Sequence, residues 1–204
     1  MNLKILRDRI ILFILGIVVL TLGVSLTIKA NLGAGSWDSV NVGLSNRFSL
    51  SVGSFAFIIA IIMTILAGML RNGKFNFYTL VTAFILSGCT DFWLVIVNKI
   101  PLNNRLLERG ICFVLGILIL SIGLAIYLTP NLVPNSIDDC MMAFREKFNL
   151  NVGTAKFLAD SLGIIIALIV SGPIGIGTIV ITISVGPLVN VVFNKLNKIL
   201  GTVN

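Results

Sequence analysis

The chain has 204 residues, 57% of them hydrophobic and 11% charged, with a formal net charge of +7 and a mean hydropathy of +1.07. A soluble domain carries about 25% charged residues, so this composition excludes a chain that covers its own surface in water. Histidine is absent, and Cys89, Cys112 and Cys140 form no C-x-x-C, which excludes the usual zinc site and a disulfide framework.

Neither a P-loop nor a G-x-S-x-G is present, so no catalytic residue, cofactor or metal is expected and the chain does not read as an enzyme. The basic excess points to anionic headgroups and not to nucleic acid. No basic cluster alternates with aromatics, as single-strand binding needs, whereas Lys and Arg gather at the cytoplasmic ends of membrane helices.

In chain order, residues 10–28, 52–70 and 110–128 are 19-residue runs without a charge, and 173–193 is one of 21. Residues 75–97 carry only Asp91, and 152–170 only Lys156 and Asp160. About 20 apolar residues cross the hydrocarbon core as a helix, and a helix satisfies its own backbone there. Six transmembrane helices are predicted in one membrane domain over 1–204. The first run follows Lys4, Arg7 and Arg9, as a signal peptide would. It exceeds a typical signal core and lacks an A-x-A-like site, so it reads as a retained helix.

Shifting the chain by 100 residues aligns 13–57 on 113–157 without a gap, with 15 of 45 positions identical. Matched Gly16, Gly23, Asn31, Ser36, Asp38 and Gly53 are not explained by shared greasiness. The chain is therefore two copies of one unit, 1–100 and 101–204. Each copy reads as an apolar helix, a polar phrase, a short segment and two more apolar helices. Three crossings per copy is odd, so the second copy is expected to enter the membrane from the opposite face, as inverted repeats of secondary transporters do. With the N-terminus inside, nine Lys and Arg fall in inner segments (Lys4, Arg7, Arg9, Arg71, Lys74, Arg145, Lys147, Lys195, Lys198) and five in outer ones (Lys29, Arg47, Lys99, Arg105, Arg109). Both termini are thus expected in the cytoplasm.

The repeated phrase is NLGAGSWD at 31–38 and NLVPNSID at 131–138. Ser36 and Ser136 have the form of N-caps, and Ser136-x-x-Asp139 that of a capping box with Asp for Glu. The segments that follow, 36–48 and 136–148, would rise only about 20 Å as helices, too short to span. Each is expected as an interfacial or a re-entrant helix. Its N-terminus suits an anion, although Asp38 and Asp138 already complement the dipole. Gly33, Gly35, Pro130 and Pro134 break the preceding helices, and irregular backbone at depth survives only where protein or a watery cavity satisfies it. The phrases, with Asn31, Ser36, Trp37, Asp38, Asn131, Ser136 and Asp138, are candidate substrate-binding positions.

Gly16 and Gly23, like Gly116 and Gly123, lie seven apart on one helix face, where small residues let helices approach. Lys156 and Asp160 are four apart on a face of their own. A mid-membrane charge usually faces a bundle interior, so this pair joins the candidates. It is either a self-neutralising structural pair or part of a polar pocket. Its repeat partners, Ala56 and Ala60, are apolar, which would make the pocket asymmetric.

The stretches NLGAGSWDSVNVGLSNRFSLSVGS, NLVPNSIDDCMMAFREKFNLNVGT and GIGTIVITISVGP resemble the YczE/YyaS/YitT family of bacterial integral membrane proteins over nearly the whole chain. Where the family usually has Pro-Trp-Asp, this chain has Ser36-Trp37-Asp38. The resemblance implies a small multi-pass protein of the bacterial cytoplasmic membrane and supplies no catalytic residues. The expected function is that of a small transporter or transporter-like protein handling a small metabolite or lipid-like molecule. Alternatives are a substrate-capturing subunit, similar in size and helix count to the vitamin-binding subunits of energy-coupling importers, and an accessory membrane protein. Partners are expected to be the lipid bilayer, a small-molecule or lipid ligand, and a second copy or another membrane protein, with no nucleic acid.

Overall fold

The computed structural model describes residues 3–102 and 105–199. Among them the chain is all-helical, with eight helices and no strand. The helices are α1 (Leu3–Ala30), α2 (Ser36–Phe48), α3 (Val52–Leu70), α4 (Tyr78–Val97), α5 (Leu106–Leu128), α6 (Ser136–Phe148), α7 (Val152–Ile169) and α8 (Ile176–Ile199). All but α2 and α6 are long and apolar enough to cross a membrane, which gives six spans. The chain is a multi-span membrane protein. Its helices form two compact units, and each unit draws on both halves of the sequence.

Among the described residues, the first unit comprises 3–35, 89–102, 105–132 and 175–199. Its axis is the pair α1 and α5. The Arg9 guanidinium, near the start of α1, donates to the Pro130 carbonyl just beyond α5 (3.0 Å). The Arg109 guanidinium, near the start of α5, donates to the Ala30 carbonyl (2.8 Å) and to that of Asn31. The two helices are therefore antiparallel, and each arginine satisfies carbonyls left open at the end of the other helix. Between these ends the contact is a glycine seam. A Cβ at Gly23 would strike the Leu120 backbone, and one at Gly123 the Leu20 backbone. Likewise Gly16 lies against Tyr127 and Gly116 against Thr27. Each of these contacts recurs with both partners shifted by 100 residues.

Buried Thr21 and Ser25 return their hydroxyls to carbonyls four residues back, each at 2.8 Å. They add no unsatisfied polar atom to the seam. The Trp93 indole, on α4, donates to the Val18 carbonyl (2.9 Å). On the other side of α5, α8 closes a core of Ala30, Phe113, Ile117 and Ile181. Asn31 and Asn131 end α1 and α5 in the left-handed region, with φ of 50° and 45°, which asparagine tolerates better than most residues. The strand of chain after α1 is held by the start of α8, where the Gly177 N–H donates to the Leu32 carbonyl (2.8 Å). A Cβ at Gly175 would come within 2.6 Å of that same carbonyl oxygen.

The second unit comprises 36–88 and 133–174. Here α2 packs along α7 and α6 along α3, again exchanging halves of the sequence. The spans α3 and α7 start at equivalent caps, Ser51 Oγ accepting from the Ser54 N–H (3.0 Å) and Asn151 Oδ1 from the Thr154 N–H (2.8 Å). Val40, Ile59 and Ala167 form the core between α2, α3 and α7, backed by Trp37, Leu44, Met63 and Ile174. At the end of α3, Arg71 grips buried Asp139 through both carboxylate oxygens (2.9 and 3.0 Å) and reaches Glu146 (2.9 Å).

The capping expectation does not hold. Ser36 and Ser136 are the first helical residues, and Asn135 precedes α6 without a side-chain cap bond. Their hydroxyls bond across to other helices, and Asp139 serves Arg71 instead of a capping box. Burial explains this, because a hydroxyl facing another helix finds a partner there that water would otherwise supply.

Two outcomes follow from this packing. Gly23→Val or Gly123→Val must push α1 and α5 apart, and overpacking of this kind costs about 1–3 kcal/mol. Thermal unfolding in detergent should show that loss, whereas Gly88→Val, with open space around its Cα, should leave the midpoint nearly unchanged. Arg71→Met strands the buried Asp139 carboxylate and should cost about 3–5 kcal/mol. Glu146→Gln should cost under about 1 kcal/mol because Glu146 is exposed. The Arg71 guanidinium holds the Glu146 carboxyl below its ordinary value of 4.5. Its small contribution is therefore present above that pH and fades as pH falls through the depressed value.

Candidate functional site

The polar groups of the second unit collect where the two short helices begin. Ser36 Oγ, on the first residue of α2, donates to Asp160 Oδ1 (2.9 Å). Asp160 is the ninth of the 18 residues of α7, so α2 starts half-way along a spanning helix. On the other side, Ser136, the first residue of α6, meets Thr64 (3.1 Å), the thirteenth of the 19 residues of α3. Both 13-residue helices thus begin deep along a span and run out towards its end. Each short helix follows a break in the chain, where Asn31 and Asn131 stop α1 and α5 in the left-handed region.

The two helix starts meet different chemistry. At α6 the partners are hydroxyls: Thr64, Thr79 and Ser136 are all fully buried, with Thr64 3.0 Å from Thr79. At α2 the partners are charged. Asp160 binds the Lys156 ammonium one turn away (3.1 Å) while accepting from Ser36. Burial pushes the Asp38 carboxyl up to about 6 and raises that of Asp138, and in both the Lys156 ammonium opposes the shift. Asp38 and Asp138 occupy the first turns of α2 and α6, where a carboxylate complements the helix dipole. The Trp37 ring lies over Gly163, where an added Cβ would sit 3.3 Å from the indole and 3.2 Å from Ser36. No three potential metal-ligating side chains converge among the described residues.

Of the sequence-derived candidates, Ser36, Trp37, Asp38, Asp138, Lys156 and Asp160 come together in this cluster. Ser136 lies in the hydroxyl group at α6. Asn31 and Asn131 belong to the first unit, where their backbones end helices and the Asn31 carbonyl serves Arg109. Sequence reading missed Thr64, Thr79 and Asn41. A buried threonine in an apolar run has no distinctive spacing, and Asn41, though polar in a short helix, looks like a solvated position.

Comparison with known proteins gives the lineage. Residues 7–194 match the model of a family of unknown function, DUF6198. The chain belongs to this family. It is 36% identical over 179 residues to the uncharacterized protein YyaS of Bacillus subtilis (strain 168), covering 88% of this chain and 89% of that one. To the uncharacterized membrane protein YczE of the same organism it is 28% identical over 172 residues, 84% of this chain and 79% of YczE. An uncharacterized protein of Haemophilus influenzae is 24% identical over 191 residues, 93% of this chain and 84% of that one. No solved structure matches. Membership of this family names no ligand, so what the fold does must be argued from the cluster itself.

The ion pair offers a direct test. Lys156→Met leaves Asp160 with Ser36 as its remaining partner and Asp138 as a like-charged neighbour. Removing one member of a fully buried pair costs about 3–5 kcal/mol, and the exposure of Lys156, 56% of its side chain, brings the expected loss down to about 1–3 kcal/mol. The double variant Lys156→Met with Asp160→Asn should be more stable than Lys156→Met alone. Thermal unfolding of these two variants, of Asp160→Asn alone and of the unsubstituted protein in one detergent reads the coupling directly.

Proposed function

We propose that this protein is a small transporter of the bacterial cytoplasmic membrane, moving a small polar or amphipathic solute and not transforming it. One observation carries the reading: a short helix starts mid-way along a spanning helix, with its first residue bonded to a carboxylate there that also bridges to a lysine. In lipid such a start is stable only if its open N–H groups and charges face protein or a hydrated cavity. Broken and half-length helices that present their termini to a mid-membrane site are the recurring construction of secondary transporters.

The two sequence copies are read as inverted repeats. The antiparallel α1 and α5 support this, with Arg9 and Arg109 exchanging roles and the glycine contacts recurring under the 100-residue shift. On this arrangement α2 and α6 leave the membrane at opposite faces, both termini lie in the cytoplasm, and α2 and α6 are re-entrant. Within the second unit the moving part is α2 against α7. A ligand that competes for Asp160 releases Ser36, loosening the start of α2 while the Val40–Ala167 core holds its middle.

Two experiments test this. Proteoliposomes holding the purified protein are incubated with a polar metabolite extract, separated, and their contents identified by mass spectrometry. Enrichment of one or a few solutes over empty liposomes is expected, and the Lys156→Met, Asp160→Asn double variant should lose it. Binding without accumulation would instead mark a capture protein. For topology, single cysteines at Arg47 and Lys147 in a cysteine-free background are labelled from each face of the membrane. Both positions are exposed at helix ends, so reaction from opposite faces is expected, and reaction of both from one face refutes the inverted arrangement.

A further inference from the structure

We infer that α8 pairs with the α8 of a second copy of this chain, inserted in the same direction, along Ile176, Ile179, Ile183, Gly186 and Asn190. Asn190 is the fifteenth of the 21 residues of the span Ile176–Leu196. It is exposed, and its side chain has no hydrogen bond among the described residues. An amide facing hydrocarbon exchanges the hydrogen bonds of water for none. Lysine and arginine near a helix end reach back to the surface, but the short asparagine side chain, five residues before Lys195, does not. A polar group at such depth is ordinarily turned towards protein.

The residues before it form one stripe. Ile176, Ile179, Ile183, Gly186 and Asn190 follow one another at spacings of three, four, three and four, the a and d positions of a heptad, and each is exposed. The spans α7 and α8 are the least buried of the six. A Cβ at Gly186 would meet nothing within 4 Å, so this glycine, unlike Gly16 or Gly23, serves no close contact within the chain. Glycine inside a helix is unfavourable relative to alanine, and what it permits in lipid is the close approach of a second helix. Pro187 lies inside α8 and has no N–H for the Ile183 carbonyl four residues back. In a membrane a neighbouring helix can make that loss good.

The partner follows from the chemistry of the amide. A carboxamide both donates and accepts, so it is its own complement. Two copies inserted in the same direction hold Asn190 at the same depth. A two-fold axis along the membrane normal then sets the two amides against each other, each donating to its twin. One asparagine at an a position is also the device that fixes register and strand number in parallel helix pairs. Any other partner has to bring a matching polar group to that depth independently.

The test uses the full chain with Cys89, Cys112 and Cys140, all free, replaced by serine. Copies labelled with one of two fluorophores at a single cysteine, Lys147→Cys, are mixed in phosphatidylcholine liposomes, and energy transfer between them is followed as lipid is added. Saturable transfer that reverses on dilution is expected. Asn190→Leu should weaken the pairing by about threefold or more, whereas Asn190→Gln, which keeps a donor and an acceptor, should retain most of it. Thermal unfolding in detergent checks that each variant folds. Independently, oxidation should link Ile183→Cys copies into dimers readily. Val191→Cys, exposed but about 100° round the helix from Asn190, should link far more slowly. This contrast decides the matter if Asn190→Leu does not fold. Transfer no greater than random proximity gives, pairing indifferent to Asn190→Leu in a folded variant, or linkage at Val191 as fast as at Ile183 overturns the inference.

Discussion

Hydrocarbon offers no hydrogen bonds, and every break in a helix within it must be satisfied by the protein itself. This chain breaks its helices twice, at Asn31 and Asn131, and most of what is distinctive in the structure answers those breaks. Arg109 takes the Ala30 and Asn31 carbonyls, and Arg9 that of Pro130. The chain after the first break is held by the Gly177 N–H. The residues that begin the next helices, Ser36 and Ser136, bond to Asp160 and Thr64. A phrase that looked like a pair of ordinary caps is thus part of a wider set of contacts made by other helices.

The same constraint explains where small residues are placed. An arginine near one end of a helix can reach the far end of its antiparallel neighbour only if the two backbones run close together. Gly16, Gly23, Gly116 and Gly123 provide that approach along α1 and α5. Gly175 and Gly177 do the same where α8 meets the chain after α1, which gives a physical role to the GIGT stretch. Close backbone contact takes the place of the hydrophobic effect, which does not drive association of helices already in lipid.

Against this near-symmetric frame the first residues of the two short helices meet different partners. Thr64, Thr79 and Ser136 form a buried hydroxyl group at the start of α6, whereas α2 begins at a carboxylate bridged to a lysine. In the repeat, Lys156 and Asp160 stand opposite Ala56 and Ala60, which makes the two helix starts electrostatically different.

Much of this was legible in the sequence. Six apolar runs, a 100-residue repeat and two short polar segments follow from periodicity and composition, because the length needed to cross lipid and the spacing of a helix face are local properties. The Lys156–Asp160 pair was legible for the same reason, being one helical turn apart. The roles of Ser36, Ser136 and Asp139 were not, since whether a hydroxyl or carboxylate caps its own helix or serves another depends on what is packed against it. Nor was the role of Arg9 and Arg109: a basic residue beside an apolar run looks like a headgroup anchor until a helix end is brought to it. By itself the sequence determined the number of crossings, the repeat and the rarity of buried charge. Only the tertiary structure decided that Ser36 bonds to Asp160, 124 residues further along, because side-chain partners are chosen by how helices pack and not by their order along the chain.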